Sequence, residues 1–139
     1  MKVFNIKTVA VQGIDDQMQE IKSSDRGTFK KISEGYLIRY TENIFKNAPQ
    51  VFTEISVSPP KTVTVTKDGG VRSRLIIEEG KENTCLYSTP AGAIELTIFG
   101  ERVNYLLTES GGEIFLCYII RQNGADISKN SVTIKIKEV

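Results

Sequence analysis

The chain has 139 residues, 40% apolar and 25% charged, the composition of one ordinary globular domain rather than a disordered or membrane-embedded chain. Lys plus Arg number 18 and Asp plus Glu 17, so the formal charge of +1 gives no general electrostatic pull toward nucleic acid or acidic membranes. With no histidine, Ser–His–Asp and Cys–His nucleophilic sites, His-bearing metal sites and the commonest general base near neutral pH are all excluded.

The opening MKVFNIKTVAVQG carries no uninterrupted apolar run, because Asn5, Lys7 and Thr8 break it, so it does not read as a secretory signal. No later run approaches the ~18 apolar residues of a membrane helix. A cytoplasmic protein is therefore the expectation. Strands are predicted at 2–12, 17–24, 27–31, 35–42 and 51–57, with the second and third able to fuse across Ser24–Gly27. Segment 14–22, IDDQMQEIK, has room for one or two helical turns, and 43–50, NIFKNAPQ, reads as a longer loop or a short helix ending before Pro49.

Further strands follow at 61–67, 71–78, 83–89, 92–99, 102–108, 113–122 and 130–138. Period-two alternation is plainest in TVTVT at Thr62–Thr66 and VTIKI at Val132–Ile136, each with one apolar face. Turn residues punctuate the runs every eight to twelve residues: Gly13–Asp16, Ser58–Lys61, Asp68-Gly69-Gly70, Glu79–Glu82, Pro90–Gly92, Gly100–Arg102, Gly111-Gly112 and Asn123-Gly124. Such spacing predicts an antiparallel all-β sandwich or barrel. Strand 113–122 is apolar on both faces, Ile114, Leu116, Tyr118 and Ile120 on one and Phe115, Cys117 and Ile119 on the other. It is expected to be covered on both sides, outwardly by its own chain or by another subunit.

Few residues carry chemistry. Cys85 and Cys117 lie in apolar runs without partners at metal-ligand spacing, and read as small buried hydrophobes. Arg72, Arg74 and Glu78 share one face of strand 71–78, opposite Val71, Leu75 and Ile77. Geometry favours an outer, solvated face, with ion pairs worth at most about 1 kcal/mol each. The alternative is that they line a barrel lumen and the arginines await an anion. Tyr40 and Tyr87 are candidates for a pocket mouth, since a buried Tyr needs a hydrogen-bond partner. No catalytic residue, metal site or cofactor is assigned.

These motifs together resemble those of the YwiB-like family of uncharacterised bacterial β-barrel proteins. The similar features are Gly27; Tyr40-Thr41-Glu42 as a Y-x-E element; Val63–Gly69 as a strand with a basic residue and a glycine; and Arg74-Leu75, Glu78 and Gly80. Tyr87–Gly92 matches a Y-x-T-P-x-G turn, and Gly111–Ile114 with Tyr118 completes the pattern over nearly the whole chain. Lys67 stands where Arg is usual in that family, and Ala91 where an aromatic is usual. The resemblance implies a calycin-like or lipocalin-like fold and carries no established activity.

The sequence thus predicts a single all-β domain over 1–139: one antiparallel, mostly up-and-down barrel of about 8–10 strands. Its first functional reading is a non-enzymatic module that binds a small ligand through Tyr40, Arg72, Arg74, Glu78 and Tyr87. A second is a filled barrel acting through an outer face such as that of strand 113–122, with a homo-oligomer as one form. An enzymatic reading is the weakest, since Arg, Tyr and Glu would have to do all the chemistry. No nucleic-acid or membrane partner is expected.

Overall fold

In the computed structural model, residues 2–42 and 50–139 are described, and all regular structure among them is β. Ten strands follow the chain: β1 (Phe4–Ile14), β2 (Gln17–Ile32), β3 (Gly35–Glu42), β4 (Val51–Ser58) and β5 (Thr62–Gly69) come first. Then come β6 (Val71–Glu78), β7 (Glu82–Thr89), β8 (Gly92–Thr108), β9 (Gly111–Gln122) and β10 (Ala125–Glu138). Each pairs antiparallel with the next, and β1 pairs with β10, closing one up-and-down barrel. No helix among the described residues is long and apolar enough to cross a membrane.

The elements follow from local chemistry. The Asn123-Gly124 turn has both residues at positive φ, 53° and 79°, the conformation whose twist matches a tight hairpin. The helical turns expected within 14–22 do not form. Ile14 pairs with Gln17, so Asp15-Asp16 is a two-residue hairpin loop, with Asp15 at φ 54°. Aspartate tolerates that left-handed conformation, and the alternation on either side then extends the strands. The separate strands expected at 17–24 and 27–31 are one, β2; those at 92–99 and 102–108 are also one, β8, bent at a register shift between Gly100 and Arg102. The expectation for 43–50 falls almost wholly on residues 43–49, outside the described residues.

Strand parity sorts the side chains. Inward positions build a core from Phe4, Ile6, Ile38, Ile55, Val57, Val63, Ile77, Ile98, Val103, Ile114 and Leu116, all buried. Aromatics plug this end. Phe4 meets Phe29 edge-on at 5.3 Å between centroids, and Phe29 stacks on Tyr36 at 5.6 Å. The Tyr36 hydroxyl then donates to the Leu107 carbonyl at 3.1 Å, tying β3 to β8. Each such ring pair adds about 0.5–1.5 kcal/mol beyond the area it buries.

The outward face of β9 is covered within the chain at Ile119, while Phe115 and Cys117 stay half-buried. Ile119 is only 6% exposed, in register between Phe99 and Lys129. Beside it the Arg121 guanidinium lies 5.2 Å over the Phe99 ring and bridges Glu82 and Asp126, each at 2.7 Å.

Two glycines allow backbones to approach where the wall bends. A Cβ on Gly100 would lie 2.2 Å from the Glu78 carbonyl oxygen, where the Glu78–Lys81 turn crosses onto β8 and Gly80 donates to the Gly100 carbonyl at 2.8 Å. A Cβ on Gly27 would lie 2.2 Å from the Arg39 oxygen and 2.7 Å from Tyr40 Cβ. Gly80 has open space around it and only a positive φ of 79°. Gly27→Ala and Gly100→Ala should each cost about 3 kcal/mol or more, and Gly80→Ala only about 1 kcal/mol. Chemical denaturation of the three variants checks the order; equal losses would show that the close approaches do not constrain the wall.

Candidate functional site

The barrel is plugged at one end and polar at the other. Along β1, the inward series Phe4, Ile6 continues to Thr8; along β2, Phe29 and Gly27 continue to Asp25. On β3, Ile38 is followed inward by Tyr40 and Glu42; on β4, Ile55 by Thr53; on β5, Val63 and Val65 by Lys67. Each apolar face therefore ends in a polar residue at the same height. Ten strands enclose more room than the eight that side chains alone just fill.

Glu42 is the centre of the cluster. Its Oε1 accepts from Thr53 Oγ1 at 3.3 Å and from Lys67 Nζ at 3.3 Å. The Glu42 side chain is 12% exposed and that of Lys67 40%, so the pair spans from wall to solvent. Burial, the Glu42 charge and contact with its carboxylate together hold the Tyr40 phenol well above its ordinary range, so it stays protonated. The Thr8 hydroxyl bears on that phenol in the opposite sense, yet its Oγ1 makes no well-aligned hydrogen bond. Asp25 Oδ2 is likewise buried without a hydrogen-bond partner. Its carboxyl is pushed above 3.8 by burial first and by Glu42 second, with Lys67 pulling the other way.

The facing wall is more apolar. Tyr87 shares the inward parity of buried Cys85, and Ile94 and Leu96 pair opposite them on β8. Ile94 is 42% exposed although its register points inward, so this end is accessible. Tyr118 is largely buried, and burial raises its phenol as well. Burial also raises the Cys85 and Cys117 thiols, so neither is a ready nucleophile at neutral pH. Among the described residues no group of three His, Cys, Asp or Glu side chains is placed to hold a metal.

The five residues singled out in the sequence do not converge. Tyr40 and Tyr87 face inward. Arg72, Arg74 and Glu78 face outward, because Ser73, Leu75 and Ile77 occupy the inner parity of β6. Arg72 pairs with Asp68 at 3.1 Å and Glu78 with Lys81 at 3.2 Å, both on the surface. Arg72 and Arg74 flank a shallow outer groove with Leu86 and Ser88. Asp25, Thr53 and Thr8 were not singled out, and Glu42 and Lys67 entered only through the family pattern. The readable signal was parity, for each continues a run of apolar inward positions.

The raised Asp25 carboxyl has a measurable consequence. The folded state favours its protonated form, so its contribution to stability is complete below pH 3.8 and is lost as pH rises through the higher folded value. The unfolding free energy of the native chain minus that of Asp25→Asn should therefore fall as pH climbs from below 3.8, then level off. A difference that is flat across pH would show that Asp25 sits in a water-like setting.

Comparison with known proteins agrees with this architecture. The barrel superposes on the crystal structure of the ywiB protein from Bacillus subtilis with a TM-score of 0.82 and 19% identity, covering 96% of this chain and 91% of that one. No curated protein matches the chain. The family described as a domain of unknown function, DUF1934, matches residues 5–134, nearly the full length, with the Tyr40-x-Glu42 element and Lys67 inside the match and joined within the barrel. The chain belongs to the DUF1934 family, and its closed ten-stranded barrel has the fold of the ywiB protein.

Proposed function

We propose that the protein is a non-enzymatic module that binds a small molecule in the accessible polar end of its barrel. The observation that carries this reading is the buried, unpartnered Asp25 Oδ2 beside the Tyr40, Glu42 and Lys67 cluster. A buried polar atom left without a partner costs about 1–3 kcal/mol, and a fold keeps such atoms where something else satisfies them. The remainder of the lumen is closed by packed apolar residues, so the polar end is where a ligand would have room.

The cluster also constrains the ligand. Two carboxylates face one ammonium, and the neutral Tyr40 phenol is already drawn toward Glu42. A ligand suited to this end brings hydrogen-bond donors, as an amine or a polyol does, toward Asp25. Its apolar part lies against Tyr87, Ile94 and Leu96, which supply most of the affinity. Arg72, Arg74 and Glu78 lie outside the wall and take no part in this reading. The calycin-like resemblance is in keeping with it, since small barrels of that kind commonly hold one ligand.

Native mass spectrometry of gently purified protein, with a thermal-shift screen of amines, polyols and common metabolites, tests the proposal. A bound species or a stabilising compound is expected, and at a hundredfold excess over Kd the stabilisation is about 2.7 kcal/mol, several degrees in Tm. Tyr40→Phe and Asp25→Asn should reduce that shift, and the Arg72→Ala/Arg74→Ala double variant should keep it. A bare chain with no shift across the screen, or a shift lost only in the arginine variant, would overturn the reading.

A further inference from the structure

Among the described residues, the barrel wall is not paired along its whole height. β2 pairs with β1 from Gln17 through Gly27, but its pairing with β3 begins only at Gly27, and β3 runs on past that point through Thr41 and Glu42. Along residues 17–24, alternate backbone N–H and C=O groups therefore point away from the barrel with no strand beside them among the described residues. This stretch and the turn before it also carry large exposed hydrophobics: Met18 at 73%, Ile21 at 55% and Ile14 at 44%. An exposed edge of this length is a template for another strand.

We infer that the strand that fits this edge is the same edge of a second copy, in an antiparallel pair about a twofold axis at Ile21. The argument is charge complementarity. With Ile21 opposite Ile21, Glu20 of each chain lies opposite Lys22 of the other, both on the outward face. Shifting the axis one residue back sets Glu20 against Glu20; shifting it one residue forward sets Lys22 against Lys22. Like charges directly opposite destabilise a strand pair, while opposite charges stabilise it, so the register is chosen from within the strand. Ser24 then faces Met18 and Ser23 faces Gln19, polar or flexible partners without a clash of charge.

Lys22 taken alone is the kind of residue that guards an edge against aggregation. Glu20 changes its meaning. The two already attract each other along the strand, at 3.4 Å, and both stay exposed, so they are free to re-pair across an axis. The strip is narrow, smaller than an obligate interface, so the dimer forms reversibly and depends on concentration and salt. This inference stands apart from the ligand reading, because residues 17–22 lie on the projecting hairpin and the polar cluster begins at Asp25.

Sedimentation equilibrium of the native chain over a wide concentration range, with the charge variants, is the test. The weight-average mass should rise toward two chains. Glu20→Lys and Lys22→Glu should each weaken association about tenfold, and the double swap Glu20→Lys/Lys22→Glu should restore it. Both substituted positions are exposed, so circular dichroism and Tm of all three variants should stay at native values. A monomer at every concentration would overturn the inference, leaving the edge to Lys22 as guard or to an unrelated strand. So would a dimer indifferent to the single charge changes.

Discussion

The pairing of β1 with β10 governs the rest of this molecule. Phe4 lies opposite Glu138 and Gly13 opposite Lys129, and every pair between keeps that register. Once the ring is closed, each strand has one face inside and one outside, and a slip of a single residue would exchange them. Closure therefore decides that Lys67 and Glu42 meet inside the wall while Arg72 and Arg74 stand in solvent. It also leaves little freedom at the plugged end, where Phe4, Phe29 and Tyr36 interlock.

The two ends of the lumen obey different physics. The plugged end gains from area removed from water, and two tyrosine hydroxyls donate to carbonyls there, Tyr36 to Leu107 and Tyr105 to Pro60. The accessible end holds an ion pair with one member close to fully buried and the other open to solvent. A pair in that position contributes little net stability, since desolvating the carboxylate offsets much of the attraction. Beside it Asp25 Oδ2 is buried without a hydrogen-bond partner. The outer pairs, such as Arg39 with Glu54 at 2.8 Å, cost little where water surrounds them.

Much of this was legible in the chain. TVTVT and VTIKI fall in β5 and β10 with the expected faces inward, and Asn123-Gly124 forms the hairpin its dipeptide implies. Gly13–Asp16 reads as a turn between two strands, and the hairpin forms there; the helical turns that 14–22 also allows, through the spacing of Ile14, Met18 and Ile21, give way because pairing with β1 decides between the periods. The break assumed at Gly100 is a bulge, since a glycine can bend a strand as readily as end it. Parity placed Arg72, Arg74 and Glu78 together, but parity alone cannot say which face is inside; that depends on Ser73, Leu75 and Ile77 being the packed side. Lys67 and Glu42 were marked only as parts of the family pattern, and Asp25 not at all. Counting back along TVTVTK places Lys67 on the valine face, which was the available clue.

The central claim is that the polar end of the lumen is an accessible cup and not part of a dry core. A high-resolution crystal structure of gently purified protein tests this most directly, through the surroundings of Asp25 Oδ2 and Thr8 Oγ1. The account predicts solvent or a small molecule hydrogen-bonded to both atoms and in contact with Tyr40 and Lys67. Side chains rotated to satisfy one another, with the lumen packed shut above Tyr40, would contradict it.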